Sequence, residues 1–262
     1  ILVSGLVLAS CSQKQGSDNP LLQTWDTPFE TAPFEKIKVE HYLPAFEAAM
    51  AEHDKEIQAI IDNAEEPNFD NTIAALDYAG ETLTKVAGVF YNMMAANTSE
   101  ELQKVNEQIG PMMATHSDNI SMNAKLFEKI KAVYDAKDSQ KYTGEQLALL
   151  EKTYNKFVRS GALLDAAKQE ELRKVNAELT KVEAKFDANL LKESKAYQLV
   201  IDKEENLKGL PQGEIEKAAA LAKEKGKEGK WIFTLDNPSF MPFVTYADNR
   251  DLRKEIFNAR VN

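Results

Sequence analysis

The chain has 262 residues, 43% apolar and 28% charged, enough for a folded body with a substantial core in one or two domains. Its net charge of −10 argues against nucleic acid as a partner, because such a binder presents a basic face that displaces phosphate counterions. A single cysteine rules out an intramolecular disulfide and a cysteine-based zinc site, and only 11 glycines and 9 prolines favour helices over an all-β fold.

The first stretch, residues 1–10, is apolar or small and uncharged. It is too short to span a bilayer and reads as the end of a secretory signal's apolar region, partial because it opens on Ile1 with neither methionine nor a basic segment. Leu8-Ala9-Ser10-Cys11 resembles the bacterial lipobox, where cleavage falls before the cysteine and lipid is attached to its sulfur. Cys11 is therefore the expected lipidation site, and Ser12 after it favours the outer membrane. The expectation is a periplasmic protein of the bacterial cell envelope, held to the membrane through acyl chains that each contribute about 0.8 kcal/mol per buried CH₂. Residues 11–20 are polar and small, which suits a flexible tether.

Residues 21–262 read as one helical body. Leu21 to Ile37 carries Trp25, Phe29 and Phe34 among Pro28 and Pro33, which predicts an extended strap packed by its aromatics. Val39 to Asp62 is a helix with Leu43, Phe46, Met50, Ile57, Ile60 and Ile61 on one face, and Pro44 belongs in its first turn. Phe69 to Asn97 reads as a second helix. A third opens at Thr98-Ser99-Glu100-Glu101, a capping-box pattern, and Gly110-Pro111 should kink or divide it. Asn123 to Ala136 is a further helix, and Thr143-Gly144-Glu145-Gln146 caps the next.

Gly161 turns the chain into its longest element, Asp165 to Ser194, a rod of about 45 Å. Leu172, Val175, Leu179, Val182, Phe186 and Leu190 form its stripe, and neighbouring helices should pack there. Residues 197–201 and 231–235 are strand candidates, able to pair as a two-strand patch around a helix over Gln212 to Lys225. A short helical turn follows Asn237-Pro238, and Asn249 caps a last helix that reaches Asn262 with its apolar side open, which reads as truncation. The fold class is mainly α, a multi-helix lobe with a long central helix and a small two-strand patch.

No catalytic residue and no metal ligand can be assigned from these patterns. His41, His53 and His116 are not spaced to share a helix face as adjacent ligands, and packing or surface roles suit them better. Met93, Met94, Met112, Met113 and Met122 offer thioethers to copper(I), but fall on helical segments that need apolar fillers. Gly226-Lys227-Glu228-Gly229-Lys230 lacks phosphate-loop spacing and reads as a connector.

A family resemblance emerges from Leu207 onward. Leu210-Pro211, the run Ala218 to Ala222, Lys225-Gly226, the run Trp231 to Leu235, Pro242-Phe243 and the run Asn249 to Arg253 succeed one another in an order similar to the helical N-terminal lobe of the thimet oligopeptidase family, peptidyl-dipeptidase branch. Asn19-Pro20-Leu21-Leu22, Pro33-Phe34, His41-Tyr42-Leu43-Pro44-Ala45-Phe46, Phe69-Asp70-Asn71-Thr72 and Phe157-Val158-Arg159-Ser160-Gly161-Ala162 extend the likeness across residues 19–262. The resemblance implies a zinc metallopeptidase whose lobes wall a channel for short peptides and whose branch removes C-terminal dipeptides. It implies that zinc is held by His-Glu-x-x-His and a further Glu in a second lobe, a motif this sequence does not contain, so the chain alone should be inactive. The alternative from another class is a non-catalytic helical lipoprotein that binds peptides or a protein partner.

Overall fold

The computed structural model describes residues 18–261, so Cys11, the signal-like stretch and most of the tether lie outside the described residues. The chain divides into two compact units, one up to Lys181 and one from Val182. The fold is mainly α, as the helical spacing requires.

In the first unit α1 is Val39–Asp62, the element on which the others pack. Its first half meets α3, Glu81–Ala96, and α4, Glu100–Ser121. Phe46 and Phe90 are fully buried there, edge to face with ring centroids 5.5 Å apart, and Tyr42 meets Phe90 at 5.0 Å. Each such ring contributes about 1.5–3 kcal/mol by leaving water. The second half of α1 supplies Ile57 and Ile60 to another core with α5, Ala124–Asp135, and α6, Gly144–Arg159, where Leu126, Ile130 and Leu150 are fully buried.

Local chemistry sets most boundaries. Thr143 and Gln146 exchange side-chain bonds with each other's backbone N–H at 3.2 and 3.0 Å, the capping box read from sequence. Before α4 the cap is Ser99, whose Oγ accepts from Leu102 N–H, so the cap lies one residue past Thr98 and the expected box does not form, because Leu102 at the third helical position has no side-chain acceptor. Helix α4 runs continuously through Gly110 and Pro111, so of the expected kink or division the division does not occur. Pro44 lies in the second turn of α1, not the first.

The single helix expected over Phe69 to Asn97 is instead three pieces. A π-helical turn, Phe69–Ala74, leads into α2, Ala75–Tyr78, and the chain breaks at Gly80 before α3. Gly80 has φ +81, the left-handed region that a glycine enters without steric cost. The aromatic strap is also different in kind. Pro20–Leu22 and Pro28–Glu30 are two short 3-10 turns, Leu21 is buried, and Trp25 lies under the Lys85 ammonium at 3.9 Å. Phe29, however, is 99% exposed and Phe34 half-exposed.

The longest helix, α7, is Ala166–Ala196 and passes from the first unit into the second. Arg173 and Asn176 tie its first part to α4, through Asn119 Oδ1 at 3.0 Å and Asp118 Oδ1 at 2.8 Å. Its apolar stripe is not buried: Val175, Leu179, Val182, Phe186 and Leu190 are between 51% and 66% exposed. The expectation that neighbouring helices pack there is corrected. The physical reason is that α1, α3, α4, α5 and α6 satisfy their apolar faces with one another.

In the second unit β1, Leu199–Ile201, pairs antiparallel with β2, Trp231–Phe233, with Val200 opposite Ile232. Helices α8, Gln212–Glu224, and α9, Asn237–Tyr246, pack on this patch, and Ile256 of α10, Arg250–Val261, joins Phe243 in the core. Asn249 caps α10 by accepting from Asp251 and Leu252 N–H. Gly209, φ +86, lets the chain pass so near Tyr246 that a Cβ there would lie 2.2 Å from its carbonyl oxygen.

Candidate functional site

The one place where the described side chains gather unusual chemistry lies in the first unit, between α1, α2, α4 and α6. Four elements each deliver one part. From α1 come His53 and, one turn on, Glu56; from α4 comes His116; from α6 come Lys156 and Phe157; and the break before α3 brings the backbone of Gly80.

His53 continues the inner face of α1, four residues after the buried Ala49 and four before the buried Ile57. His116 stands seven residues after the buried Ile109 and is itself only 8% exposed. The two rings meet with His116 Nε2 3.0 Å from His53 Nδ1. On its other side His116 Nδ1 faces Asp54 Oδ1 at 3.4 Å, a charge contact longer than a good hydrogen bond.

Gly80 holds this arrangement from below. Its N–H donates to Glu56 Oε2 at 2.7 Å, and a Cβ at that position would lie 2.9 Å from two atoms of the His53 ring. Glycine is therefore required twice, for its φ and for its lack of a side chain. Burial pushes the His53 imidazole below its ordinary pKa, and the neighbouring His116 and Lys156 push the same way, against the pull of Glu56 and Asp54.

Over this pair opens a cavity of about 360 Å³, walled by Leu76, Leu83, Met113, Ile120 and Phe157. Lys156, Thr153, Ser117 and Asp77 supply its polar edge. A pocket of this size, mostly apolar with a few convergent polar groups, is the usual form of a small-ligand site.

The arrangement is not a metal centre. Among the described residues no three histidines, cysteines or acids stand close enough to hold an ion, and the facing nitrogens of His53 and His116 are engaged with each other. A zinc ion of the kind the resemblance implies has no fitting donor set here. His41 serves locally, its Nδ1 accepting from Lys38 N–H at the start of α1. Met93, Met94, Met112 and Met113 pack against the first core, and Met113 also lines the pocket. Residues 226–230 form the connector between α8 and β2, with Lys227 N–H donating to Ala222 O. Sequence reasoning left His53 and His116 apart. The readable signal was that each is a polar residue on an otherwise apolar helical face.

No described helix is long and apolar enough to cross a membrane. What the fold defines, then, is a mainly helical chain whose first unit packs on α1 and carries a pocket but no metal centre among the described residues. Residues 46–170 match the N-terminal domain of the neurolysin/thimet oligopeptidase family. The chain is 35% identical to "Dipeptidyl carboxypeptidase" of Escherichia coli over 241 residues, 92% of this chain and 35% of that protein. It is 35% identical to the Salmonella typhimurium protein of the same name, over 93% of this chain and 36% of the relative. It is 28% identical to "Probable cytosolic oligopeptidase A" of Arabidopsis thaliana, over 93% of this chain and 35% of the relative. The chain belongs to the neurolysin/thimet oligopeptidase family, and it spans about a third of the length of these relatives.

Proposed function

We propose that this chain is the N-terminal lobe of a zinc-dependent oligopeptidase that acts on short peptides and frees dipeptides from their C-termini. The observation that carries the reading is 35% identity to a dipeptidyl carboxypeptidase sustained over 92% of the chain. The exposed stripe on α7 supports it, because an apolar run of this kind on a surface is ordinarily covered by another part of the protein or a partner. In this reading the metal, its ligands and the base that activates water belong to residues outside this chain, and no step of the hydrolysis is assigned to any residue within it. We further infer that the protein is a lipoprotein of the bacterial envelope, attached through Cys11 and facing the periplasm.

The deciding experiment takes the whole gene product from the source cells. Purified, it should contain about one zinc per chain by elemental analysis, and should shorten a synthetic octapeptide by successive C-terminal dipeptides, read by mass spectrometry. The 262-residue chain alone, given zinc, should leave the peptide intact. Cleavage by the short chain, or a whole product free of zinc and activity, would end the peptidase reading and leave the binding lipoprotein in its place. Metabolic labelling with a fatty-acid analogue should mark the wild type and not Cys11→Ala.

A further inference from the structure

The pocket over His53 holds three features with no part in peptide hydrolysis as proposed. First, the facing nitrogens of His53 and His116, 3.0 Å apart, can share one hydrogen but not two. Second, Nε2 of His53 has no hydrogen-bond partner among the described residues, and His53 is part of the pocket lining. Third, Lys156 lines the same cavity without a carboxylate within ion-pair distance among the described residues.

We infer that this pocket binds a small carboxylate carrying one apolar side chain, its charge set between Lys156 and Nε2 of His53 and its side chain against Leu83, Met113 and Phe157. The inference does not depend on the peptidase reading, since every residue it uses is in this chain.

Proton bookkeeping follows from the geometry. In the unliganded pair an extra proton on His53 is favoured by Glu56 and Asp54 and opposed by burial, His116 and Lys156. A bound carboxylate completes a row: ligand oxygen, Nε2–H of His53, Nδ1–H of His53, Nε2 of His116, Nδ1–H of His116, Asp54 Oδ1. One positive charge then lies between two carboxylates, so binding takes up a proton at neutral pH. Burial holds the free His53 below its ordinary pKa, and the bound anion opposes that. Affinity therefore rises as pH falls from about 8 toward about 6 and levels off once the free His53 is already protonated.

The other charged groups around the pair fit this. Glu56 is occupied by Gly80 N–H. Asp77 lines the pocket from α2, is exposed and screened by water, and favours a ligand with an N–H donor on that side. The ligand class is thus an N-acylated apolar amino acid or a group like it, and the net charge of −10 disfavours stray anion binding elsewhere.

The test uses N-acetyl-leucine and N-acetyl-leucinamide against the 262-residue chain, by calorimetry and amide NMR shifts. The acid should bind saturably, moving the amides of Ser117 and Thr153, and should tighten about fivefold to tenfold between about pH 8 and about pH 6 with measurable proton uptake. The amide should bind at least about tenfold more weakly. Lys156→Met, a change at an exposed position, should weaken the acid about tenfold at either pH. His116→Gln should flatten the pH dependence. Equal binding of acid and amide, no saturable binding of the acid, or an unchanged Lys156→Met would each overturn the inference.

Discussion

Helix α1, 24 residues long, buries Phe46, Ala49 and Ile57 almost entirely, whereas α7, 31 residues long, leaves Val175, Leu179, Val182, Phe186 and Leu190 more than half exposed. Both carry apolar residues at helical spacing, and both fold as that spacing dictates. What differs is the company. α1 is met by α3, α4 and α5, while the stripe of α7 has no comparable cover among the described residues. Periodicity specifies the element and the face, but the occupant of that face is a tertiary fact.

This contrast is sharpest under truncation of a ring. Phe46→Ala should cost about 3–5 kcal/mol in urea denaturation, because it removes a fully buried ring from a closed core. A loss below about 1 kcal/mol would mean that the first core is looser than the packing of Phe46, Phe90 and Tyr42 implies. Gly80→Ala should come next, at about 1–3 kcal/mol, from positive φ and from the clash with the His53 ring. It should also shift the imidazole NMR signals of both His53 and His116, and unmoved signals would show that Gly80 does not brace the pair. Thr143→Ala removes one cap bond and should cost about 1 kcal/mol, read as earlier melting. Phe186→Ser should change stability of the 262-residue chain by no more than about 0.5 kcal/mol. If it proves as costly as Phe46→Ala, the stripe is covered after all and the contrast between the two helices fails.

Much of the helical framework was legible in the sequence, and the reasons are local. Thr143 with Gln146, Asn123 and Asn249 announce helix starts through bonds that span three residues or fewer. Val39 and Asp62 bound α1 as the apolar spacing suggested. The break at Gly80 was missed because a lone glycine is tolerated inside a helix. Its meaning here comes from Glu56 and His53, more than twenty residues away. The same holds for the pocket. His53 and His116 are 63 positions apart, and no local rule sets the crossing of α1 and α4 that joins them. Phe29 misled in the other direction, as a large aromatic that packs on nothing described.

The antiparallel patch of the second unit is three residues deep on each strand. Its outer borders are therefore too brief to template a further strand from another molecule, a hazard that longer, flatter edges carry. With one small sheet and many helices among its described residues, the chain offers little edge for fibril-like growth, and self-association through the described surface should run through side-chain contacts such as the stripe of α7.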